Sequence, residues 1–144
     1  MSAFGLQEAI ALAVDAHQGQ FDKAGEPYIL HPLAVMLSID PWLVEQRIVA
    51  VLHDVLEDTD ISAEDLLRRG CPGEIVEALV VLTHRPGQTY AEYIQTIKAN
   101  ALATAVKLAD LKHNTSMERL LRLDRPTVKR LLAKYEPAIK ELTA

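Results

Sequence analysis

Apolar residues recur at intervals of three and four along nearly the whole chain, as in Leu6, Ile10, Ala13 and Val14 ahead of His17, a spacing that predicts helices rather than strands. His17 closes that first apolar stripe and reads as a buried, hydrogen-bonded structural histidine. His31-Pro32 announces a second helix, with His31 just ahead of it and Pro32 at its first position. Asp40-Pro41 announces a third, Asp40 as cap and Pro41 in the first turn. Its stripe of Val44, Ile48, Val51, Leu52 and Val55 predicts one face packed into a core. Ser62 and Gly70 bracket a short helix over 63–69, and the Pro72-Gly73 turn opens another carrying Ile75, Leu79 and Leu82 as far as Thr83. After a loop at 84–88, Thr89 and Glu92 form a capping box for a helix through about Ala99. Leu102, Val106 and Ala109 mark the next. The last runs from Val128 to Leu142, and Pro137 should kink or split it. No alternating stretch, repeat or linker stands out, so the expectation is one all-α domain over 1–144 with about seven to nine helices.

At 144 residues the chain has the size of about one domain, and 49% hydrophobic against 24% charged residues suits a packed core. The 15 Lys and Arg against 20 Asp and Glu leave a formal charge of −5, which disfavours a nucleic-acid polymer as partner. A small phosphorylated ligand is not excluded, because a few placed cations can hold it. The single cysteine, Cys71, forms no internal disulfide and suits a reducing compartment. With no export signal and no apolar run long enough for a membrane, the expected location is cytoplasmic.

Ionisable residues stand where apolar ones should. His53-Asp54 and Glu57-Asp58 crowd the end of the most apolar helix, with 54, 57 and 58 expected on one helical face. Carboxylates that close repel unless a cation lies among them or one is protonated; a solvated helix end is the plain alternative. His31 stands ahead of a helix, and Asp110 in an apolar helix has Lys107 and Asn114 one turn away on either side. Singly, His31 reads as a capping or packing residue and Asp110 as the partner of Lys107. Together the two imidazoles and two carboxylates form a mixed nitrogen and oxygen set suited to a divalent metal with open positions, and one cysteine rules out a thiolate-rich zinc site.

The segments 17–20, 23–32, 52–58 and 107–110 with His113-Asn114 occur together and in order. In them the chain resembles the HD-domain phosphohydrolases, and within these the hydrolase domain of the RelA/SpoT alarmone enzymes and their small stand-alone homologues of the metazoan SpoT type, over roughly residues 4–123. The resemblance implies an all-α HD bundle and one divalent ion, typically manganese, held by His31, His53, Asp54 and Asp110. It implies Glu57 and Asp58 beside the attacking water as base or orienting groups, with Lys23 and Asn114 contacting phosphate and ribose. The implied reaction removes the 3′-pyrophosphate of guanosine tetra- or pentaphosphate, without alarmone synthesis. Asp22, Leu111 and Thr115-Ser116-Met117 depart from the family pattern on what reads as the substrate side. They leave open another nucleotide or phosphorylated metabolite; a third reading is a nucleotide-binding regulatory module with little turnover, against which the intact Glu57-Asp58 pair argues. His84 and Arg85 read as a solvated turn, His113 as facing the site or capping a helix end, Tyr90 and Tyr93 as packing, and Trp42 as uninformative. Homo-oligomerisation is also left open.

Overall fold

The computed structural model describes residues 4–144; the first three residues of the domain expected over 1–144 lie outside the described residues. The chain forms α1 (Leu6–Ala16), α2 (Leu30–Leu37), α3 (Val44–Leu52), α4 (Val55–Asp58), α5 (Ala63–Arg68), α6 (Gly73–Val81), α7 (Tyr90–Lys98), α8 (Ala101–Asn114), α9 (Met117–Leu120) and α10 (Arg125–Thr143). The segments α4 and α9 are single turns of 4 residues, and the others make up the predicted all-α bundle. The described residues contain no strand, only an isolated bridge between Phe21 and Pro27.

Ile48 through Leu52 are each at most 4% exposed, so the second half of α3 is buried all round rather than along one stripe. It lies at the centre of the bundle, packed by α1, α2, α6 and α8. The α8 helix also meets α2, α7 and α10, so α2, α3 and α8 all pack on one another. Loss of a fully enclosed side chain such as Leu52 leaves a cavity, at about 2–5 kcal/mol for truncation to Ala.

Local chemistry explains several helix ends. Ser62 accepts the amide of Asp65, Thr89 that of Glu92, Asn100 that of Ala103 and Asp124 that of Thr127. Gly70 ends the α5 turn at φ +92°, a conformation that costs other residues more.

Three expected boundaries shift. Asp40 and Pro41 sit in a turn ahead of α3, which starts at Val44 with Val44 itself 46% exposed. His31 lies inside the first turn of α2 rather than ahead of it, since a helix loses no internal bond to a proline there. The α10 helix runs unbroken through Pro137: Ala133, whose carbonyl the proline cannot serve, is exposed, so water can take that bond.

Candidate metal centre

The helix predicted to continue from α3 breaks at His53-Asp54. Asp54 has φ −103° and ψ 0°, stands just ahead of the short α4 without capping it through its side chain, and therefore does not share a regular helical face with Glu57 and Asp58. The break turns His53 and Asp54 toward α2 and α8. His31 Nε2 lies 2.8 Å from Asp110 Oδ1, and His53 Nε2 lies 3.4 Å from the same oxygen and 3.1 Å from Asp54 Oδ2. Donor atoms of His31, His53 and Asp54 all fall within 4.8 Å of one another. His31, His53 and Asp110 are each no more than 5% exposed.

The protonation pattern of the imidazoles is set from behind. His53 Nδ1 is 2.5 Å from the Ala50 carbonyl, which can only accept, so Nδ1 carries the proton and Nε2 points its lone pair inward in the neutral ring. That Nε2 is sealed from solvent and, though close to two carboxylates, has no aligned hydrogen bond. Burial would lower the His53 pKa, but Asp54 and Asp110 overcome it and hold the ring above its ordinary value. Burial would raise Asp54, yet His53 and the Tyr28 hydroxyl draw it down to about 2. Asp110 is likewise held well below the carboxylate range, chiefly by Lys107 at 3.0 Å and His53 against the cost of burial. An orphaned nitrogen aimed at two ionised carboxylates fits a divalent cation, which takes two nitrogens and two oxygens without thiolate.

His113 faces this site and does not cap a helix end. Its ring stacks on His31, with the two Nδ1 atoms 2.7 Å apart. Burial, then the charges of His31 and Arg119, lower His113 to about 4, so it stays neutral and its Nδ1 can accept a hydrogen bond from His31 Nδ1–H. Asn114 donates to Asp110 Oδ1 at 3.2 Å. Tyr28, which sequence reasoning passed over as part of the 23–32 segment, donates its hydroxyl to Asp54 Oδ2, and burial and that carboxylate push the phenol far upward.

Glu57 and Asp58 are exposed, and both offer oxygens within 4.8 Å of Asp54. Glu57 accepts the His84 amide at 2.7 Å, which ties the 84–88 loop to the site. Burial and the charges of Asp54 and Glu57 raise the Asp58 carboxyl. His17 donates to Gln20 at 2.9 Å, and Gln20 donates to the Asp58 carbonyl at 3.0 Å, so the buried His17 supports the backbone at Asp58.

Two cavities open here. The smaller, about 220 Å³, is lined by His31, Asp54, Glu57, Asp110, Lys107 and Lys134 among others. The larger, about 340 Å³, is lined by Lys23, Asp22, Phe21, Arg119, Arg122 and Leu131 among others. Tyr28, Asn114 and Tyr135 belong to both walls, so Lys23 and Asn114 meet in the larger cavity and only Asn114 reaches the smaller.

The departures change meaning in place. Asp22 accepts the amides of Ala24 and Glu26 at 2.9 and 3.0 Å, closing a loop that turns at Gly25 with φ +85°. Leu111 is wholly buried in the core and does not face the substrate side. Tyr93 is packed as expected, its hydroxyl on the Leu82 carbonyl at 2.6 Å, and both Tyr90 and Tyr93 also line the smaller cavity.

A histidine–aspartate pair at a helix break, joined by a histidine and an aspartate from two neighbouring helices, gives this bundle the form of an HD domain. No protein-family profile matches the chain. It is 36% identical over 135 residues to the guanosine-3′,5′-bis(diphosphate) 3′-pyrophosphohydrolase of Haemophilus influenzae, spanning 85% of this chain and 20% of that protein. It is 32% identical over 151 aligned positions to the bifunctional (p)ppGpp synthase/hydrolase SpoT of Escherichia coli K12, spanning 95% of this chain and 22% of that protein. The chain thus spans about a fifth of the length of these curated relatives. A solved structure described as a metazoan orthologue of SpoT that hydrolyses ppGpp superposes with a TM-score of 0.78 at 21% identity, over 95% of this chain and 84% of that one. Over most of its length the chain is thus similar to one segment of these RelA/SpoT-type proteins, and it shares the fold of the metazoan structure.

Proposed function

We propose that the chain is a metal-dependent (p)ppGpp pyrophosphohydrolase, cleaving the 3′-pyrophosphate of guanosine tetra- or pentaphosphate to GDP or GTP and pyrophosphate. The observation that carries the chemistry is the convergence of His31, His53, Asp54 and Asp110 on one buried point at the wall of a cavity. The substrate follows from relatives named for that hydrolysis. Manganese is the proposed ion, by resemblance. When bound there, a divalent cation lowers the pKa of water and offsets charge on a phosphate oxygen.

The chain's own residues do the rest. Glu57, held by the His84 amide, and Asp58, whose carboxyl is raised, stand where one takes the proton of the attacking water and the other orients it. Tyr28 and Lys107 fix Asp54 and Asp110, and His113 fixes the His31 ring. Lys23 and Arg119 line the larger cavity, where the rest of the nucleotide would lie against Phe21 and Leu131.

A second reading keeps the metal and changes the substrate to another phosphorylated nucleotide. The carboxylate of Asp22 in the wall of the larger cavity favours it. The deciding experiment strips the chain of metal, reloads it with Mn²⁺ and offers a nucleotide panel that includes guanosine tetraphosphate. GDP and pyrophosphate are the expected products. Turnover of other nucleotides with the alarmone untouched supports the second reading, and no turnover at all supports a regulatory binding module.

A further inference from the structure

The cations around the smaller cavity differ in what holds them. Lys107 is committed, its Nζ 3.0 Å from Asp110 Oδ2 and its side chain 13% exposed. Lys134 enters from α10 and pairs with no carboxylate among the described residues. Its Nζ instead lies 4.6 Å from the centre of the Tyr90 ring and 5.7 Å from that of Tyr135. Leu131, Lys134 and Tyr135 fall three and four residues apart on α10, which puts all three on the face turned to the cavities.

Asp54, Glu57 and Asp110 line the same space, so a phosphate chain drawn to it faces carboxylates. One phosphate can be met by a cation among the proposed ligands. A second phosphate needs a cation that is not already neutralised, and Lys134 is the lysine in that wall with no carboxylate partner. Aromatic faces hold an ammonium in place without cancelling its charge as a carboxylate would.

We propose that Lys134 is a substrate-binding residue that grips the phosphate farther from the histidine–aspartate cluster, with Tyr90 and Tyr135 as the platform that holds its ammonium at the cavity. The inference deepens the proposed function and rests on it only in taking a phosphate chain as the ligand. Its test therefore includes a probe without guanosine.

The probe is inorganic phosphate, titrated into the full chain with saturating Mg²⁺ and followed by NMR. Lys134→Met should weaken phosphate binding about tenfold, the size of one hydrogen bond to a charged group, while Lys134→Arg keeps it. Lys129→Met, on the same helix and outside both cavities, should change nothing. In turnover assays Lys134→Met should raise KM with kcat nearly unchanged, since the grip is the same in ground and transition states. If the alarmone is not hydrolysed but Lys134→Met still weakens phosphate binding, the functional reading fails and this one stands. Equal phosphate affinity in wild type and Lys134→Met, with unchanged melting temperatures, overturns it, as does a wild type that does not bind phosphate.

Discussion

Tyr28 and Asp54, 26 residues apart, are joined by a hydrogen bond from the phenol to the carboxylate oxygen that also faces His53. The ring is positioned independently, tilted against His17 at 5.2 Å and His31 at 5.9 Å. Tyr28→Phe should therefore keep the packing and lose only the donor. Metal affinity, measured by competition with a chelator, should fall about 10- to 100-fold, as for other partners of metal-ligating groups. An unchanged affinity would remove Tyr28 from the support of the site.

Glu57→Gln separates loop from chemistry. The amide oxygen of glutamine can still accept the His84 N–H, so the 84–88 loop should hold its place and metal content should stay at the wild-type level. Turnover should drop by about 10²–10⁴-fold if Glu57 handles the proton. Wild-type rates in this variant would leave Asp58 as the base.

Asp110→Ala should do more than empty a ligand position. Lys107 is largely buried, and Asp110, whose charge is the chief reason its pKa rises above the ordinary value despite burial, is also its ion-pair partner. Removing one member of a buried pair costs about 3–5 kcal/mol. The double variant Asp110→Ala/Lys107→Met should recover much of that stability in chemical or thermal denaturation, with no recovery of bound metal by elemental analysis.

Cys71 provides a pH-dependent marker away from the site. Burial alone raises its thiol to about 11, and it is 3% exposed. The folded value lies above the unfolded one, so the thiol's contribution to stability is complete below the unfolded pKa and disappears as pH rises through about 11. Alkylation of the folded chain at pH 8 should be far slower than in denaturant. Equal rates would show that Cys71 is reachable.

The helices were legible because their signals are local. The capping box at Thr89 and Glu92, the Ser62 cap and the Gly70 stop each act within a few residues. His31, His53, Asp54 and Asp110 could be picked out because ionisable groups in apolar segments are costly and need a reason. What links them was not legible. The bonds from Tyr28 to Asp54 and from His31 to His113 join positions 26 and 82 apart, which no periodicity encodes. Asp22 shows a related limit: its charge was visible in the sequence, but not that one of its oxygens accepts two amides of its own loop while the residue also lines the larger cavity. Leu111 read as a departure on the substrate side and lies in the core, because one step along a helix rotates a side chain by about 100° from its neighbour.

The contact between His31 and Asp110 spans 79 residues of chain. Closing so long a loop costs entropy that a local cap does not, because that cost grows with loop length, so the contact depends on the helix packing on either side of it. The same few atoms that would select a cation also act, once the second and eighth helices have packed, as a clasp between them, and join the first and second halves of the chain at the end of the bundle where the histidines and aspartates meet.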